Sequence, residues 1–218
     1  MNEIRDTYRH KGLRKRLVES LREKGIRDDR VLNAINKVPR HLFLDSSFLE
    51  FAYQDKAFPI GSGQTISQPY TVAYQTELLD VQPEQKVLEI GTGSGFQACI
   101  LMEMGAKLYS IERQKNLYEK AAKFIPQLGY VAKLFYGDGY KGLPAFAPFD
   151  RIMITAAVPD IPQALLGQLK TGGILVAPIG KTEIQIMTTL VKNGENDYTR
   201  TEHGTFRFVP MLEKRARD

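Results

Sequence analysis

The chain has 218 residues, a length that suits a single domain with a sizeable buried core. Hydrophobic residues make up 43% and charged residues 25% of the sequence, which argues against a disordered or fibrous protein. No apolar stretch reaches membrane-spanning length, and the first residues are charged rather than signal-like. We therefore expect a soluble, cytoplasmic protein with no membrane partner, and a monomer because no long apolar seam is left over.

Basic residues outnumber acidic ones, with a net charge of +5 and a pI near 9.2. The excess lies at the two ends of the chain, within residues 9–16 and at Lys214, Arg215 and Arg217. Acidic residues follow the first group at once, and no aromatic residues are interleaved that could stack on bases. We interpret both groups as solvated surface and expect no nucleic-acid partner.

Potential metal ligands are sparse. Cys99 is the one cysteine, which excludes an internal disulfide and a zinc site built from several thiolates. The three histidines, His10, His41 and His203, are far apart in the sequence. The sequence therefore predicts no metal site.

The first third of the chain is predicted to be a helical lobe. Leucines at a spacing of four predict a helix that ends at Gly25, and an aspartate cap predicts a second helix that ends before Pro39. Residues 55–69 contain glycine and have no regular pattern, so we expect an irregular substrate loop there. Within one domain, we assign residues 1–70 to the lobe and loop and residues 71–218 to the core.

The core shows strands and helices in alternation, a pattern typical of a parallel sheet with right-handed crossovers. Past Gly180, two further strand-like stretches flank Asn193-Gly194, a turn signal that predicts a closing antiparallel hairpin. The predicted fold is α/β: a Rossmann-like sheet, mostly parallel, with a C-terminal antiparallel hairpin and added N-terminal helices. The predicted strands are residues 86–90, 107–112, 132–136, 149–155, 173–178, 183–191 and 198–209, and the predicted core helices are residues 72–79, 96–104, 115–128 and 161–169.

Residues 87–96 read as a cofactor loop between a buried strand and a helix. Gly91, Gly93 and Gly95 alternate, whereas a dinucleotide fingerprint has the spacing G-x-G-x-x-G. Glu89 stands just before the first glycine, where its charge would repel a pyrophosphate but attract an ammonium group. S-adenosyl-L-methionine (AdoMet) carries such a group, together with a carboxylate that suits the helix N-terminus. We therefore predict AdoMet as cofactor, with S-adenosyl-L-homocysteine (AdoHcy) as its product.

Three acidic residues, Glu89, Glu112 and Asp138, follow or close successive predicted strands. The carboxyl ends of parallel strands form the ligand-binding edge of such a sheet. Glu112 is placed to accept the ribose hydroxyls, and Asp138 can reach the adenine amine while the Gly139 backbone lies near the ring. We predict that all three contact the cofactor.

Beyond the glycine loop, the sequence contains the further motifs Gly63-Gln64-Thr65-Ile66-Ser67-Gln68-Pro69-Tyr70, Gly137-Asp138-Gly139, Phe149-Asp150, residues 155–162, residues 169–173 and Phe208-Val209-Pro210. Together with the glycine loop, these motifs resemble the protein-L-isoaspartate O-methyltransferase family, a branch of the class I AdoMet-dependent methyltransferases. The glycine loop is shared by the whole superfamily, whereas the Gln-Thr-Ile-Ser-x-Pro segment ahead of the sheet is far more specific. The resemblance implies a class I methyltransferase fold and methyl transfer to the free α-carboxylate of L-isoaspartyl residues in damaged proteins, whose ester then closes to a succinimide.

The resemblance also implies roles for individual residues. Ser67 matches the residue that the family treats as its active-site serine, and we interpret it as a donor that positions the substrate carboxylate. Tyr70 stands where a family member has histidine, so its role stays open, and no cofactor contact after Pro210 is carried over. The expected cofactor-site residues are Gln64, Thr65, Ile66, Glu89, Gly91, Gly93, Glu112, Asp138 and Gly139.

Two alternatives differ in substrate or cofactor. An RNA or DNA methyltransferase of the same fold is motivated by the pI, but adenine N6 enzymes carry an Asn/Asp-Pro-Pro-aromatic run where this chain has Thr155-Ala156-Ala157-Val158-Pro159. Cys99 lies in the helix behind the glycine loop, which argues against cytosine C5 chemistry. A nicotinamide-dependent oxidoreductase, or a nucleotide-sensing domain without chemistry, conflicts with the glycine spacing and with Glu89.

Overall fold

This computed structural model describes residues 6–216 of the chain, which begin with two helices. Helix α1 spans Tyr8–Glu23 and α2 spans Asp29–Lys37, and the side chains of Thr7 and Asp28 cap them. Both predicted helices are therefore confirmed. The predicted basic tail is described only in part, because Arg217 lies outside the described residues.

A short β-hairpin follows two helical turns at Arg40–Phe43 and Ser46–Phe51. Strands β1 (Phe58–Gly61) and β2 (Gln64–Ile66) pair antiparallel, with Phe58 opposite Ile66. The prediction of an irregular stretch over residues 55–69 was therefore wrong in part. Strands of three and four residues are too short to show an alternating pattern in the sequence.

The remaining strands form one seven-stranded sheet in the order β5-β4-β3-β6-β7-β8-β9. Strands β3 to β7 run parallel, and β8 is antiparallel to both of its neighbours. This confirms the predicted mostly parallel α/β sheet with its antiparallel C-terminal hairpin. The strands are β3 (Lys86–Ile90), β4 (Lys107–Glu112), β5 (Lys133–Tyr136), β6 (Phe149–Ile154), β7 (Leu169–Ile179), β8 (Gln185–Gly194) and β9 (Asp197–Phe206). The helices are α3 (Pro69–Leu79), α4 (Phe96–Glu103), α5 (Lys115–Gln127) and α6 (Gln163–Gln168).

The hairpin between β8 and β9 turns two residues later than predicted. Gly194 pairs with Asp197, so the turn consists of Glu195 and Asn196 rather than Asn193-Gly194. Asn196 has a φ of 59°, a left-handed conformation that asparagine adopts more readily than most residues. A register shift between Lys192 and Gly194 moves the turn along the chain.

Hydrophobic residues cover both faces of the sheet. The face under α4 packs Val87 and Cys99 in one cluster with leucines and isoleucines of α1 and α2, and the other face packs Leu88 against α6. The N-terminal helices therefore share a core with the sheet. Strand β3 has β4 on one side and β6 on the other, which opens a crevice at its carboxyl end, where ligands bind in open α/β sheets.

Candidate active site

A cavity of about 750 Å³ opens at the carboxyl end of β3. Its lining includes the glycine loop with the end of β4, and also β2 with the loop that leads into α3. Among the described residues, none before Ala57 lines the cavity, so α1 and α2 support the site from behind rather than cover it. The volume lies in the range of small-molecule and cofactor sites.

The glycine loop lines the cavity, and a threonine side chain packs closely against its backbone. Gly91 has a φ of 99°, and a Cβ at this position would lie 2.4 Å from Thr155 Oγ1. Thr155 Oγ1 donates to the carbonyl oxygens of Ile90 and Gly91 at 2.9 and 2.8 Å. A side chain at Gly91 would therefore disturb the contact that closes the end of β3 against β6.

Glu112 lies in the cavity wall and is held from two sides. The backbone N–H of Gly93 donates to Oε2 at 2.9 Å, and the N–H of Gln114 donates to Oε1 at 2.8 Å. Burial raises the pKa of Glu112, while the backbone donors act in the opposite direction. A carboxylate fixed in this way beside the glycine loop can accept hydroxyl groups of a ribose, as predicted.

Glu89 and Asp138 are not part of the cavity wall. The side chain of Glu89 is 0% exposed and accepts a hydrogen bond from Ser110, whereas the carboxylate of Asp138 accepts the N–H of Tyr140 at 3.0 Å. Gly139 does line the cavity, and a Cβ there would lie 2.4 Å from Ile90 Cγ2. Direct cofactor contacts by Glu89 and Asp138 stay a prediction.

The Gln-Thr-Ile-Ser segment, the most family-specific motif of the sequence, lines the same cavity as the glycine loop. Gln64, Thr65, Ile66 and Ser67 all line the cavity, and Ile66 is buried while Ser67 is half-buried. The structure thus brings the candidate catalytic serine to the same cavity as Gly91, Gly93, Glu112 and Gly139. The catalytic and binding roles of these residues remain predictions.

Asp55 anchors the segment that carries Ser67. Its carboxylate accepts the N–H of Tyr70 at 2.7 Å, the side-chain amide of Gln68 at 3.0 Å and the ammonium of Lys24 at 2.6 Å. Burial alone would raise the pKa of Asp55, but these three donors together lower it below its ordinary value of 3.8. The folded protein therefore favours the charged form.

Replacing Asp55 with alanine should reduce the free energy of unfolding by about 1–2 kcal/mol near neutral pH, because three donors lose their acceptor. A carboxylate whose pKa is lowered on folding stabilises the protein above its unfolded pKa, and this contribution is lost as the pH falls through the folded value. The difference between wild type and variant should therefore shrink below about pH 4. Urea titrations across this pH range measure it, and an equal difference at all pH values would contradict the charge-based argument.

Aromatic residues and the C-terminal segment also line the cavity, and the sequence alone predicted a binding role for neither. The rings of Tyr70 and Phe206 stack with centroids 6.4 Å apart, and the Tyr74 ring lies 5.7 Å from that of Tyr70. Residues 207–212, which we call the C-terminal strap, also line the cavity. Ala157 fixes the strap through hydrogen bonds with Val209 and Met211, both 2.8 Å long. The Phe208-Val209-Pro210 motif was the one signal of this role.

Two of the three histidines lie together, which their separation in the sequence did not predict. The rings of His10 and His41 stack with centroids 3.8 Å apart, and potential ligand atoms of Asp6, His10 and His41 lie within 4.8 Å of one another. Both carboxylate oxygens of Asp6, however, accept hydrogen bonds from Arg14 at 3.0 Å. None of these residues lines the cavity, and we interpret the cluster as a structural contact of α1.

The chemistry of the site fits AdoMet. The glycines of the loop have no side chains, so a ligand can lie against their backbone. Glu112 presents a carboxylate held by the Gly93 N–H. Beneath the loop, Glu89 Oε1 is one of the few buried side-chain atoms for which the described residues supply no hydrogen-bond partner. Burial disfavours the charged form of this carboxyl group, and a cationic ligand nearby would compensate that charge.

Known proteins agree with this reading of the site. The sequence profile of the protein-L-isoaspartate(D-aspartate) O-methyltransferase (PCMT) family matches residues 12–216. Protein-L-isoaspartate O-methyltransferases of Cytophaga hutchinsonii and Christiangramia forsetii are 58% and 56% identical, covering 97% and 96% of this chain and 96% and 99% of their own lengths. A solved Plasmodium falciparum structure, described as a protein-L-isoaspartate O-methyltransferase in complex with S-adenosyl-L-homocysteine, has a TM-score of 0.78 at 25% identity and covers 91% of this chain and 98% of its own.

Within the part of the chain that the structure describes, every helix is too short or too polar to cross a membrane. The sheet, the cavity and the profile match over nearly the whole chain lead to one assignment. This chain belongs to the protein-L-isoaspartate(D-aspartate) O-methyltransferase family, with the Rossmann-like class I methyltransferase fold.

Proposed function

We propose that this chain transfers a methyl group from AdoMet to the free α-carboxylate of L-isoaspartyl residues in damaged proteins. The observation that carries the proposal is that Gln64-Thr65-Ile66-Ser67 lines the same cavity as the glycine loop and Glu112. The family-specific segment and the predicted cofactor loop thus share one cavity, and transfer between two bound molecules requires such proximity. The high identity to named relatives over nearly their full lengths supports the same substrate.

The reaction needs little proton chemistry from the protein. An α-carboxyl group has a pKa of about 3.5, so the nucleophile is already charged at neutral pH and no general base is required. When bound, AdoMet would supply a methyl group activated by a sulfonium, which the carboxylate oxygen would accept while the electron pair of the carbon–sulfur bond stays on sulfur.

The chain's own residues hold the two reactants in line. Glu112 and the glycine loop hold the cofactor, and the Ser67 hydroxyl donates a hydrogen bond that aims the substrate carboxylate. The aromatic wall of Tyr70, Phe206 and Phe208 excludes water. Carboxylate and sulfonium neutralise each other during transfer, so a site with little water favours the transition state.

The substrate is expected to bind as an extended peptide through its main chain. Strand β2 and the segment Thr155-Ala156 line the cavity, and Thr65 on β2 is exposed. Main-chain hydrogen bonds would accept many sequences, which a repair enzyme needs, while the extra backbone methylene of isoaspartate decides whether the carboxylate reaches the methyl carbon.

A pair of matched peptides tests the substrate. We expect labelled methyl groups to pass to a peptide that contains L-isoaspartate and only background label to reach the same peptide with normal aspartate, because the normal backbone misplaces the carboxylate. The product should be a methyl ester that base hydrolyses. Comparable rates on both peptides, or base-stable label in added RNA or DNA, would contradict the proposal.

We further propose that the chain works as a monomer in the cytoplasm and without a nucleic-acid partner. The basic residues that the structure describes at the two ends lie outside the cavity wall, and one of them, Arg14, pairs with Asp6 at 3.0 Å. Light scattering should give a mass near 24.7 kDa. A dimer mass at assay concentrations would contradict the monomer.

A further inference from the structure

Glu89 belongs to the glycine motif, and yet its carboxyl group lies inside the protein. The side chain is 0% exposed. Ser110 Oγ donates to Oε2 over 2.5 Å, and the described residues supply no hydrogen-bond partner for Oε1. A charged carboxylate in such a place is costly, because a buried charge needs a partner or a compensating charge.

A chain of hydroxyl groups connects this carboxyl group with the cavity. Ser110 Oγ lies 2.6 Å from Thr92 Oγ1, and Thr92 is part of the cavity wall. Each hydroxyl has one proton to donate. When Glu89 is charged, Thr92 donates to Ser110 and Ser110 donates to Glu89, which leaves the Thr92 oxygen as an acceptor. When Glu89 is protonated, the chain can run the other way, and Thr92 can donate into the cavity.

The groups around Glu89 favour its neutral form in the free protein. Along the sheet, Glu89 pairs with Ser110 on β4 and with Met153 on β6, and Glu112 on β4 adds a like charge. Helix α4 contributes the buried thiol of Cys99, and α3 on the same face of the sheet brings the uncharged Gln75 and Thr76. Burial, together with Glu112, raises the pKa of Glu89 to about 8, although Ser110 acts in the opposite direction.

We propose that binding of AdoMet or AdoHcy releases a proton from Glu89, and that Ser110 and Thr92 are positioning residues that couple this buried carboxyl group to the cavity. The ligand's amino-acid moiety brings an ammonium charge to the glycine loop. That charge compensates the carboxylate, the carboxyl O–H bond breaks and the proton passes to solvent. This inference rests on the proposed function for the identity of the ligand.

Titration calorimetry with AdoHcy at about pH 7, in buffers of different ionisation enthalpy, counts the protons exchanged. We expect the release of up to about one proton per site. The ligand's own amine has a pKa of about 8 and would take up only a small fraction of a proton, with the opposite sign. Below about pH 7.5 the affinity should rise toward tenfold per pH unit, since the bound state carries one proton less.

Three variants separate the parts of the coupling. Glu89→Gln should release no proton, so that only the small uptake by the ligand's amine remains in the buffer dependence of the enthalpy. Ser110→Ala removes the hydroxyl that donates to the charged carboxylate, so the pH range over which the affinity rises should move to higher pH. Thr92→Val should weaken proton release, whereas Thr92→Ser keeps the hydroxyl and should retain it. If Glu89→Gln fails to fold, as circular dichroism would show, the Ser110 and Thr92 variants still test the coupling.

Methylthioadenosine is a matched ligand because it has the adenosine and the sulfur but no amine. It should bind without proton release. Binding of AdoHcy with a buffer-independent enthalpy, or equal proton release by wild type and Glu89→Gln, would overturn the inference. A complete lack of AdoHcy binding would instead remove the cofactor assignment, so the two failures are distinguishable.

Discussion

Replacing Gly91 with alanine is expected to lower the free energy of unfolding by about 2–4 kcal/mol and to remove most cofactor binding. The backbone there has a φ of 99°, which residues with a Cβ rarely adopt. The new Cβ would also lie 2.4 Å from Thr155 Oγ1. Thr155 would have to turn away and give up its hydrogen bonds to the Ile90 and Gly91 carbonyls. Chemical denaturation and AdoHcy titration measure the two effects.

A double substitution separates the clash from the backbone strain. In a Thr155→Ala background the clashing oxygen is absent, so Gly91→Ala should cost less there than in the wild type, with the backbone strain remaining. Gly12→Ala is the matched control. Gly12 lies in α1, and a Cβ there would meet nothing within 4 Å. That control should be neutral or stabilising by up to about 1 kcal/mol. Equal costs of Gly91→Ala in both backgrounds would contradict the clash.

The sheet was predictable because its strands are apolar runs bounded by turn residues. The predicted bounds of the strands Lys86–Ile90 and Lys107–Glu112 match the structure, and the helix behind the glycine loop begins at Phe96 as expected. Burial on both faces makes such strands stand out from helices with one apolar face. The local sequence was therefore sufficient to predict the strand and helix that flank the cofactor loop.

The direction of a side chain at a strand end was harder to predict. Glu89 lies one residue before the end of β3, and successive side chains on a strand point to opposite faces of the sheet. Glu89 thus points with Val87 into the layer under α4, whereas Ile90 and the residues after it reach the cavity. A motif gives the residue and its spacing, but the geometry of the strand decides whether the carboxylate lies in the wall or beneath it.

Contacts between distant segments could not be predicted from the sequence. His10 and His41 stack although they are separated by two helices, and the C-terminal strap reaches the cavity through backbone pairing with Ala157. The histidine stack has no local pattern, and the Phe208-Val209-Pro210 motif marked the strap without showing where it packs, because both contacts depend on how finished elements pack. The strap matters for function, since Met211 and Leu212 line the cavity in addition to the predicted site residues.

Replacing Ser67 with alanine is expected to reduce kcat/KM for an isoaspartyl peptide by about 100-fold while leaving AdoHcy affinity nearly unchanged. Ser67 lines the cavity next to β2, whereas the predicted anchors of the cofactor, Glu112 and Gly93, belong to β4 and the glycine loop and are joined by a hydrogen bond of 2.9 Å. Loss of its hydroxyl should let the substrate carboxylate leave the line of attack without disturbing the cofactor. Steady-state methylation kinetics together with AdoHcy titration give the two quantities.

Ser62→Gly is the control for Ser67→Ala. Ser62 lies in the turn between β1 and β2, and the hairpin that these strands form ends directly before Ser67. Ser62 is exposed and lies outside the wall of the cavity. Its φ of 52° is one that glycine adopts without strain, so the hairpin should keep its shape and the enzyme its activity. If Ser67→Ala retained full activity, Ser67 would not orient the carboxylate. Other groups that line the cavity would then orient the carboxylate. Backbone N–H groups of the Ser67 segment would be the next candidates, because they can donate hydrogen bonds without a side chain. A loss of activity in Ser67→Ala that came with an equal loss of AdoHcy affinity would instead place Ser67 in cofactor binding.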